Sequence, residues 1–377
     1  MKMSCSKQEL LEIVNTVQKA VMAKSTMPIL ECIKIDTSGD GNVVVTGNNL
    51  DMCIEYNTVM NVPEGGIVAL ASRMFGEIVR RLPEGTVTIT SDPKNYVTKI
   101  ECGASKFNIQ GLDGMEYPGA PVLDEKYRFT LTQPALRRLI RKTISFVSVN
   151  EGRRPILTGA LFEINDGKLN IVASDGHRLA IVTENVECEE KKGHFVVPGV
   201  TLRELLKLLK DEGDVTVIIS DRHVMFDFGE FQVYTRMLEG EFLKYESIIN
   251  VINSIEVVCD KSVIMHSLER AQLLISDDNA VHSENKVPVR FNIGYNKIDM
   301  SCITGKGQVN DTVDAEVKGG ELVIGFNCRF LLDALSACDG DRVKIEFSAP
   351  TSGCFIRSGE DSDSKYLFMI LPVRLYN

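Results

Sequence analysis

The residues best placed to do chemistry in this chain are Ser174-Asp175-Gly176-His177-Arg178-Leu179. An aspartate two positions before a histidine can orient the imidazole as a general base, which would suit a cytosolic hydrolase built on Asp175 and His177. Asp-Gly at a strand end is equally a turn, in which Asp and His satisfy local hydrogen bonds. No other catalytic pattern accompanies it. Gly305-Lys306-Gly307 lacks the upstream glycine and the Ser or Thr of a phosphate-binding loop. No G-x-G-x-x-G follows a strand, and there is no G-x-S-x-G elbow. The five histidines, at 177, 194, 223, 266 and 282, form no H-x-x-H or H-E-x-x-H pair, so neither a metal nor a cofactor is implied.

The second kind of chemistry on offer is electrostatic. Residues 201–210 read as a helix with Leu202, Leu205, Leu206 and Leu209 on one face and Arg203, Lys207 and Lys210 on the other. Residues 134–144 carry Arg137, Arg138, Arg141 and Lys142 with no acid among them, and 73–81 carry Arg73, Arg80 and Arg81 interrupted by Glu77. Lys7, Lys19 and Lys24 belong to the first helix and the loop after it, and Arg153-Arg154 precede Pro155. Such charge can simply be solvated. Concentrated on helices of a chain whose formal charge is −10, it also suits a surface that tracks a polyanion. The first and last thirds each carry a net −5 and the middle third is neutral. That balance argues against a protein that coats DNA non-specifically, which needs clustered Lys and Arg. With no Trp and no aromatic interleaving of the cations, contact with a duplex backbone is favoured over stacking on single strands.

The elements that must carry these residues recur three times. A helix-then-strand phrase runs from Ser72 to Gly85 before VTIT, from Thr201 to Gly213 before VTVII, and from Asn327 to Gly340 before VKIEF. The closing glycines are 128 and 127 residues apart, too long for a solenoid repeat and right for three whole domains. Each third also opens with a strand and an amphipathic helix. Ser6-x-x-Glu9 reads as a capping box before Leu10, Ile13, Val14 and Val17. Thr132 and Pro134 precede Leu136, Leu139, Ile140 and Ile144, and Ser262 to Ile275 places Leu268 and Ala271 inward. Hairpins follow, two of them marked by Asp40-Gly41 and Asp166-Gly167. The fold class is α+β, with antiparallel sheets outside and amphipathic helices, and the domains are expected at 1–125, 126–249 and 250–377. Hydrophobic content of 44% and charged content of 25% are those of a globular protein. Ten scattered cysteines without a C-x-x-C, a start without an apolar leader and no membrane-length apolar run point to reduced thiols and a cytoplasmic location.

Ser-Asp-Gly-His-Arg-Leu-Ala (174–180) and Ile-Leu-Pro-Val-Arg-Leu (370–375) resemble the two signatures of the bacterial DNA polymerase III β subunit family, the sliding clamps. The resemblance runs the full length, through Met-Pro-Ile-Leu (27–30), Leu-Pro-Glu-Gly (82–85), Leu-x-Gly-Ala-Leu-Phe-Glu (157–163) and Ile-Gly-Phe-Asn (324–327). It implies a head-to-tail homodimer of three-domain protomers, closed as a ring around double-stranded DNA with helices inside. Such a ring is a non-catalytic processivity factor that holds the replicative polymerase to its template without reading sequence. It implies DNA contacts at Lys24, Arg73 and Arg154, beside the helix cations Arg137, Arg138, Arg141, Arg203 and Lys207. It implies a pocket for short peptides with apolar anchors, carried by polymerase, clamp loader and other partners. The matching positions are Leu157, Ser174, Gly176, His177, Arg178, Leu179, Leu243, Ile248, Met369, Ile370, Leu371, Pro372, Val373 and Arg374. Leu157, Leu179, Ile248 and Leu371 would form an apolar hole, with His177 and Arg178 as its polar rim. The dimer interface would set Lys99 to Phe107, Lys106 and Phe107 included, against Leu273 and Leu274 of a second copy.

Several positions depart from the family pattern. Leu243 replaces the pocket's usual proline, Ser247 a residue often basic, and Gly199-Val200 the basic residues that often follow Val197-Pro198; Tyr376 and Asn377 extend past the usual end. The acidic run facing the first interface segment is thin, with Asp311, Asp314 and Glu316, so the dimer should rest on apolar and strand-edge contacts. Beside the clamp stand two other readings, a diverged paralogue with altered partners and the hydrolase.

Overall fold

The computed structural model describes residues 1–39, 41–149, 152, 154–276, 287–360 and 365–375. Asp40, Arg153, His282, Tyr376 and Asn377 lie outside the described residues. Helices α1 (Lys7–Val17), α2 (Ser72–Arg81), α3 (Gln133–Thr143), α4 (Gly199–Leu208), α5 (Glu246–Ile249), α6 (Lys261–Ser276) and α7 (Cys328–Ala337) fall where the apolar periodicity predicts, apart from the single-turn α5. Ser6 Oγ accepts from the Glu9 N–H at 3.2 Å, which is the cap expected for α1. Asn327 Oδ1 accepts from the Arg329 N–H at 3.1 Å and opens α7 in the same way. Helix α4 stops at Leu208, two residues short of the sequence expectation, and the Lys210 N–H donates to Gln133 Oε1 instead (2.7 Å).

Most of the assigned apolar stripes are buried: Leu10, Ile13, Val14 and Val17 on α1, Leu136, Leu139 and Ile140 on α3, Leu202 and Leu205 on α4, Leu268 and Ala271 on α6. Ile144 lies past the end of α3 and, like Leu206 of α4, is half-buried. Paired helices pack closely. At Gly76 of α2 a Cβ would stand 2.2 Å from Gln18 Nε2, the amide that reaches across to donate to Ser72 O at 2.6 Å. Burial pushes the thiols of Cys5, Cys259 and Cys328 up to about 12, so they sit as unreactive core residues. No helix among the described residues is long and apolar enough to cross a membrane.

The strand pairs among the described residues are antiparallel throughout, in sheets of five, nine and twelve strands. Asp166 and Gly167, with φ of 45° and 79°, make the tight turn between Gly159–Asn165 and Lys168–Ser174 that their residue types predict. The chain packs as two compact units. One comprises Met1–Pro134, Val186–Glu190 and Val200–Met237; the other comprises Ala135–Asn185, Lys191–Gly199 and Leu238–Asn377. Within the first unit, strand Phe231–Arg236 pairs with Met52–Val59, Thr235 opposite Met52. Within the second, Tyr366–Ile370 pairs with Arg178–Asn185, Ile370 opposite Arg178. These two seams use the same strand of each repeat. The last strand of one repeat closes on the fourth strand of another, so each large sheet runs through a junction between repeats.

Candidate functional site

The 174–179 turn joins strands Lys168–Ser174 and Arg178–Asn185, and its geometry decides between catalysis and structure. Gly176 takes φ of 90°, a left-handed conformation suited to glycine. Asp175 Oδ1 accepts from the backbone N–H of His177 (2.9 Å) and of Arg178 (3.2 Å), and Oδ2 accepts from Arg178 Nε (2.9 Å). The carboxylate therefore holds the turn and the arginine, and no bond from it to the His177 imidazole is found among the described residues. The imidazole is exposed, 6.5 Å from the Phe330 ring and stacked on it. That arrangement removes the orienting partner on which the hydrolase reading depended. No group of three His, Cys, Asp or Glu able to hold a metal occurs among the described residues.

Arg178 corrects a second expectation. It is buried, so it forms no polar rim. Its Nη1 donates to Asp333 Oδ2 at 2.6 Å and its Nη2 to Ser145 O at 2.5 Å, while the guanidinium lies 4.2 Å from the Phe330 ring and 5.0 Å from that of Phe146. Planar, forked and always charged, guanidinium is the group that can fill such a set of partners while buried. Arg178 ties the second seam to helix α7, on which Phe330 and Asp333 are one turn apart. A second cation does the same at the far end of α7. Lys142, read from sequence as part of the open face of α3, is buried and donates to Ala337 O (2.5 Å) and Asp339 Oδ1 (2.7 Å). It thus sits on a helix C-terminus, where a cation is favoured.

Beside the turn, Leu157, Leu179 and Met369 belong to one apolar cluster with Ile156, Tyr245 and Phe355, and Leu243 packs against it half-buried. Leu238, Phe242 and Ile249 also pack against it only partly buried, so the patch has an accessible side. Leu371 and Ile248 are 39% and 37% exposed. Ser174 Oγ, buried, donates to Arg178 O at 2.7 Å and serves the turn. Strand alternation separates two neighbours that the sequence reading grouped. Met369 joins the cluster, whereas Ile370 is wholly buried and outside it. The chain then crosses back: the Leu371 N–H donates to His177 O (2.9 Å) and the Val373 N–H to Gly325 O (2.8 Å), with Pro372 half-buried and Arg374 exposed. Tyr245 and Glu163 were not singled out by sequence. The Tyr245 hydroxyl donates to Glu163 and fixes the segment that carries Leu243; burial, then the carboxylate, push its pKa up. An aromatic between two apolar pocket positions was the one available signal.

The cations divide into spoken-for and unpartnered. Arg138 pairs with Glu184, which also takes Lys365 at 3.0 Å, and Lys207 pairs with Glu204 at 2.7 Å. Lys210 lies past the end of α4 and pairs with Glu12 (3.4 Å) and Glu230 (3.8 Å). Arg137 is half-buried. Lys24, Arg73, Arg141 and Arg154 are exposed and Arg203 is half-exposed, and none of the five has an ion-pair partner among the described residues.

Two strand edges complete the inventory. Ser105–Gln110, which carries Lys106 and Phe107, is paired on one side only, by Val97–Cys102, and ends its sheet. In Gly307–Lys318, residues 307–314 pair with Lys297–Thr304 and Ala315–Lys318 pair with Ile255–Asp260, so among the described residues 307–314 have a strand on one side only. A Cβ on Gly307 would touch Leu274 Cδ2 at 3.8 Å, so Leu274 borders that second edge, and its neighbour Leu273 is 71% exposed. Asp311 is engaged inside its own chain, accepting from Ser267 Oγ and Arg270 Nε at 2.8 Å each.

Three like helix-and-sheet repeats, joined by the same strand pairing and without a catalytic or metal constellation among the described residues, define a clamp-type scaffold. Models of the N-terminal, central and C-terminal domains of the DNA polymerase III beta subunit match residues 1–122, 130–244 and 248–374. The chain is similar to the "Beta sliding clamp" of Bacillus subtilis, 32% identical with both chains fully covered. It is 34% identical to that of Halalkalibacterium halodurans over 96% of this chain and 97% of that one. A crystal structure of a putative DNA polymerase III beta subunit from Eubacterium rectale superposes with a TM-score of 0.92 at 34% identity, each chain covered completely. The chain belongs to the DNA polymerase III beta-subunit family, the sliding clamps that serve as processivity factors of DNA polymerase.

Proposed function

We propose that the protein acts as a head-to-tail homodimer closed into a ring around double-stranded DNA, a non-catalytic subunit of a cytoplasmic DNA polymerase holoenzyme. Its domains divide near residues 125 and 249. The unpartnered cations Lys24, Arg73, Arg141, Arg154 and Arg203 meet phosphates without reading bases, with Arg137, Arg138 and Lys207 in reserve. The apolar patch of Leu157, Leu179, Leu243, Met369 and Leu371 takes the anchors of short peptides from the polymerase, the clamp loader and other partners.

The observation that carries this reading is the pair of seams. Each uses the last strand of one repeat against the fourth strand of another, and three repeats in one chain leave one strand of each kind unjoined, Ser105–Gln110 and residues 307–314. Two copies can complete both. By register, Phe107 corresponds to Val233 in the first seam and Phe368 in the second, both wholly buried, yet Phe107 is 39% exposed. It is an apolar seam residue without its cover. Pairing the 105–110 edge of one copy with the 307–314 edge of the other supplies that cover and brings Lys106 and Phe107 to Leu273 and Leu274.

Replacing Phe107 with Asp is expected to convert a dimer into a monomer at micromolar concentration while leaving the melting temperature of the chain nearly unchanged. Sedimentation velocity on both proteins checks it. A wild-type protein that sediments as one chain across the micromolar range contradicts the proposed ring.

A further inference from the structure

The correspondence between the seams extends to the surface beside them. The Leu371 N–H donates to His177 O in the second seam, and the Arg236 N–H donates to Asp51 O (3.0 Å) in the first. Asn48, Leu50, Asp51 and Cys53 thus stand where Ser174, Gly176, His177 and Leu179 stand, and Arg236 stands where Leu371 does. The backbone agrees: Leu50 has φ of 76° where Gly176 has 90°. For leucine that conformation is strained, and its side chain is nonetheless 60% exposed. Next to it is a cleft of about 150 Å³ bordered by Asn48, Leu50, Pro121, His223, Tyr234 and Arg236. That is room for one side chain about the size of a benzene ring.

The cleft is held by specific bonds. Tyr117 Oη donates to Cys32 O (2.9 Å) and accepts from the Asn48 N–H (2.9 Å), and Asn48 Nδ2 donates to Pro118 O (3.2 Å). These bonds fix the 117–121 segment as one wall, as the segment carrying Leu243 forms a wall in the other seam. The chemistry of the two clefts differs. Leucine and methionine line the second; asparagine, tyrosine, histidine and arginine line the first. Burial, then Arg236 and Arg222, hold His223 below its ordinary pKa. Asp51 is the one lining carboxylate, exposed at the lip.

We infer that this cleft is a second docking site for an extended segment of a partner protein, seating a carboxylate side chain toward His223 and Arg236 while an adjacent aliphatic residue packs on Leu50 and Pro121. The inference rests on reading the second seam as a peptide pocket.

The test is fluorescence anisotropy on the full-length protein with two fluorescein-labelled hexapeptides. One carries uncharged residues with Leu and Phe anchors; the other alternates Leu and Glu. Arg236→Glu is expected to weaken the acidic peptide at least tenfold and leave the apolar one unchanged, with the reverse for Leu243→Ala/Leu371→Ala. Leu50→Gly relieves the strained backbone and removes the apolar lip, so it should melt higher than wild type yet bind the acidic peptide at least threefold more weakly. This variant carries the test if Arg236→Glu does not fold. If both peptides respond only to the Leu243/Leu371 change, the chain has one pocket and the inference is overturned while the reading of the second seam stands. If the apolar peptide ignores that change, the second-seam reading itself fails and takes the inference with it. Loss of oligothymidine binding in Arg236→Glu, without acidic-peptide binding in wild type, would assign the cleft to phosphate and likewise overturn the inference.

Discussion

Replacing Arg178 with Met is expected to destabilise the protein by about 3–5 kcal/mol, the usual cost of removing one partner from a buried ion pair. The side chain is 8% exposed and its partners Asp175 and Asp333 are 16% and 27% exposed, so solvent screens the interaction little. Methionine fills much of the space between Phe146 and Phe330 but leaves two carboxylates and the Ser145 carbonyl without their donor. Lysine at the same position keeps the charge and loses the fork, and should fall between the two. Asp333→Asn isolates the α7 contact and should cost less than the Met variant, since Asp175 and Ser145 remain served. Urea denaturation of the three variants gives the order directly. If Arg178→Met unfolds within about 1 kcal/mol of wild type, the network is not what ties α7 to the second seam.

The second large effect concerns the apolar patch. Leu243→Ala/Leu371→Ala should weaken a peptide with Leu and Phe anchors by roughly 30-fold or more, the scale of a hot-spot truncation of about 2 kcal/mol. Both side chains are only partly buried, so the fold tolerates their loss better than that of Leu157 or Leu179, which are core residues as well as lining. Leu243→Pro restores the residue the family usually carries and isolates what leucine contributes. It fixes the backbone and removes a flexible apolar contact, so a shift in preference among peptides is expected with little change in stability. Anisotropy titrations of wild type and both variants measure this. Equal affinities in the double variant and wild type would place the partner site elsewhere.

Sequence spacing exposed what depends on local periodicity. The threefold phrase, the apolar stripes of α1, α3 and α6, the Ser6 cap and the Asp166-Gly167 turn all follow from rules acting within a few residues, and the structure keeps them. What it hid depends on partners far away in the chain. Arg178 looks like any arginine after a turn; its burial comes from Phe330 and Asp333, some 150 positions on, and from Ser145. Lys142 belongs by spacing to an exposed cationic face, and the C-terminal end of α7 covers it. Ile370 sits within a signature string, yet strand alternation sends it to the face opposite Met369. The seams were invisible for the same reason. Backbone pairing leaves little mark on residue type, and only the register showed that Phe107 is the counterpart of Val233 and Phe368.

The central claim is topological, so the most direct measurement is retention on DNA with and without ends. The protein is loaded by a clamp-loader ATPase onto a nicked circle, and half the sample is then linearised. A closed ring held by sparse phosphate contacts should stay on the circle through a wash in high salt, which screens those contacts, and run off the linear ends. Equal loss from both forms would contradict encirclement. Equal retention on both would mean that charge, and not closure, holds the protein to DNA.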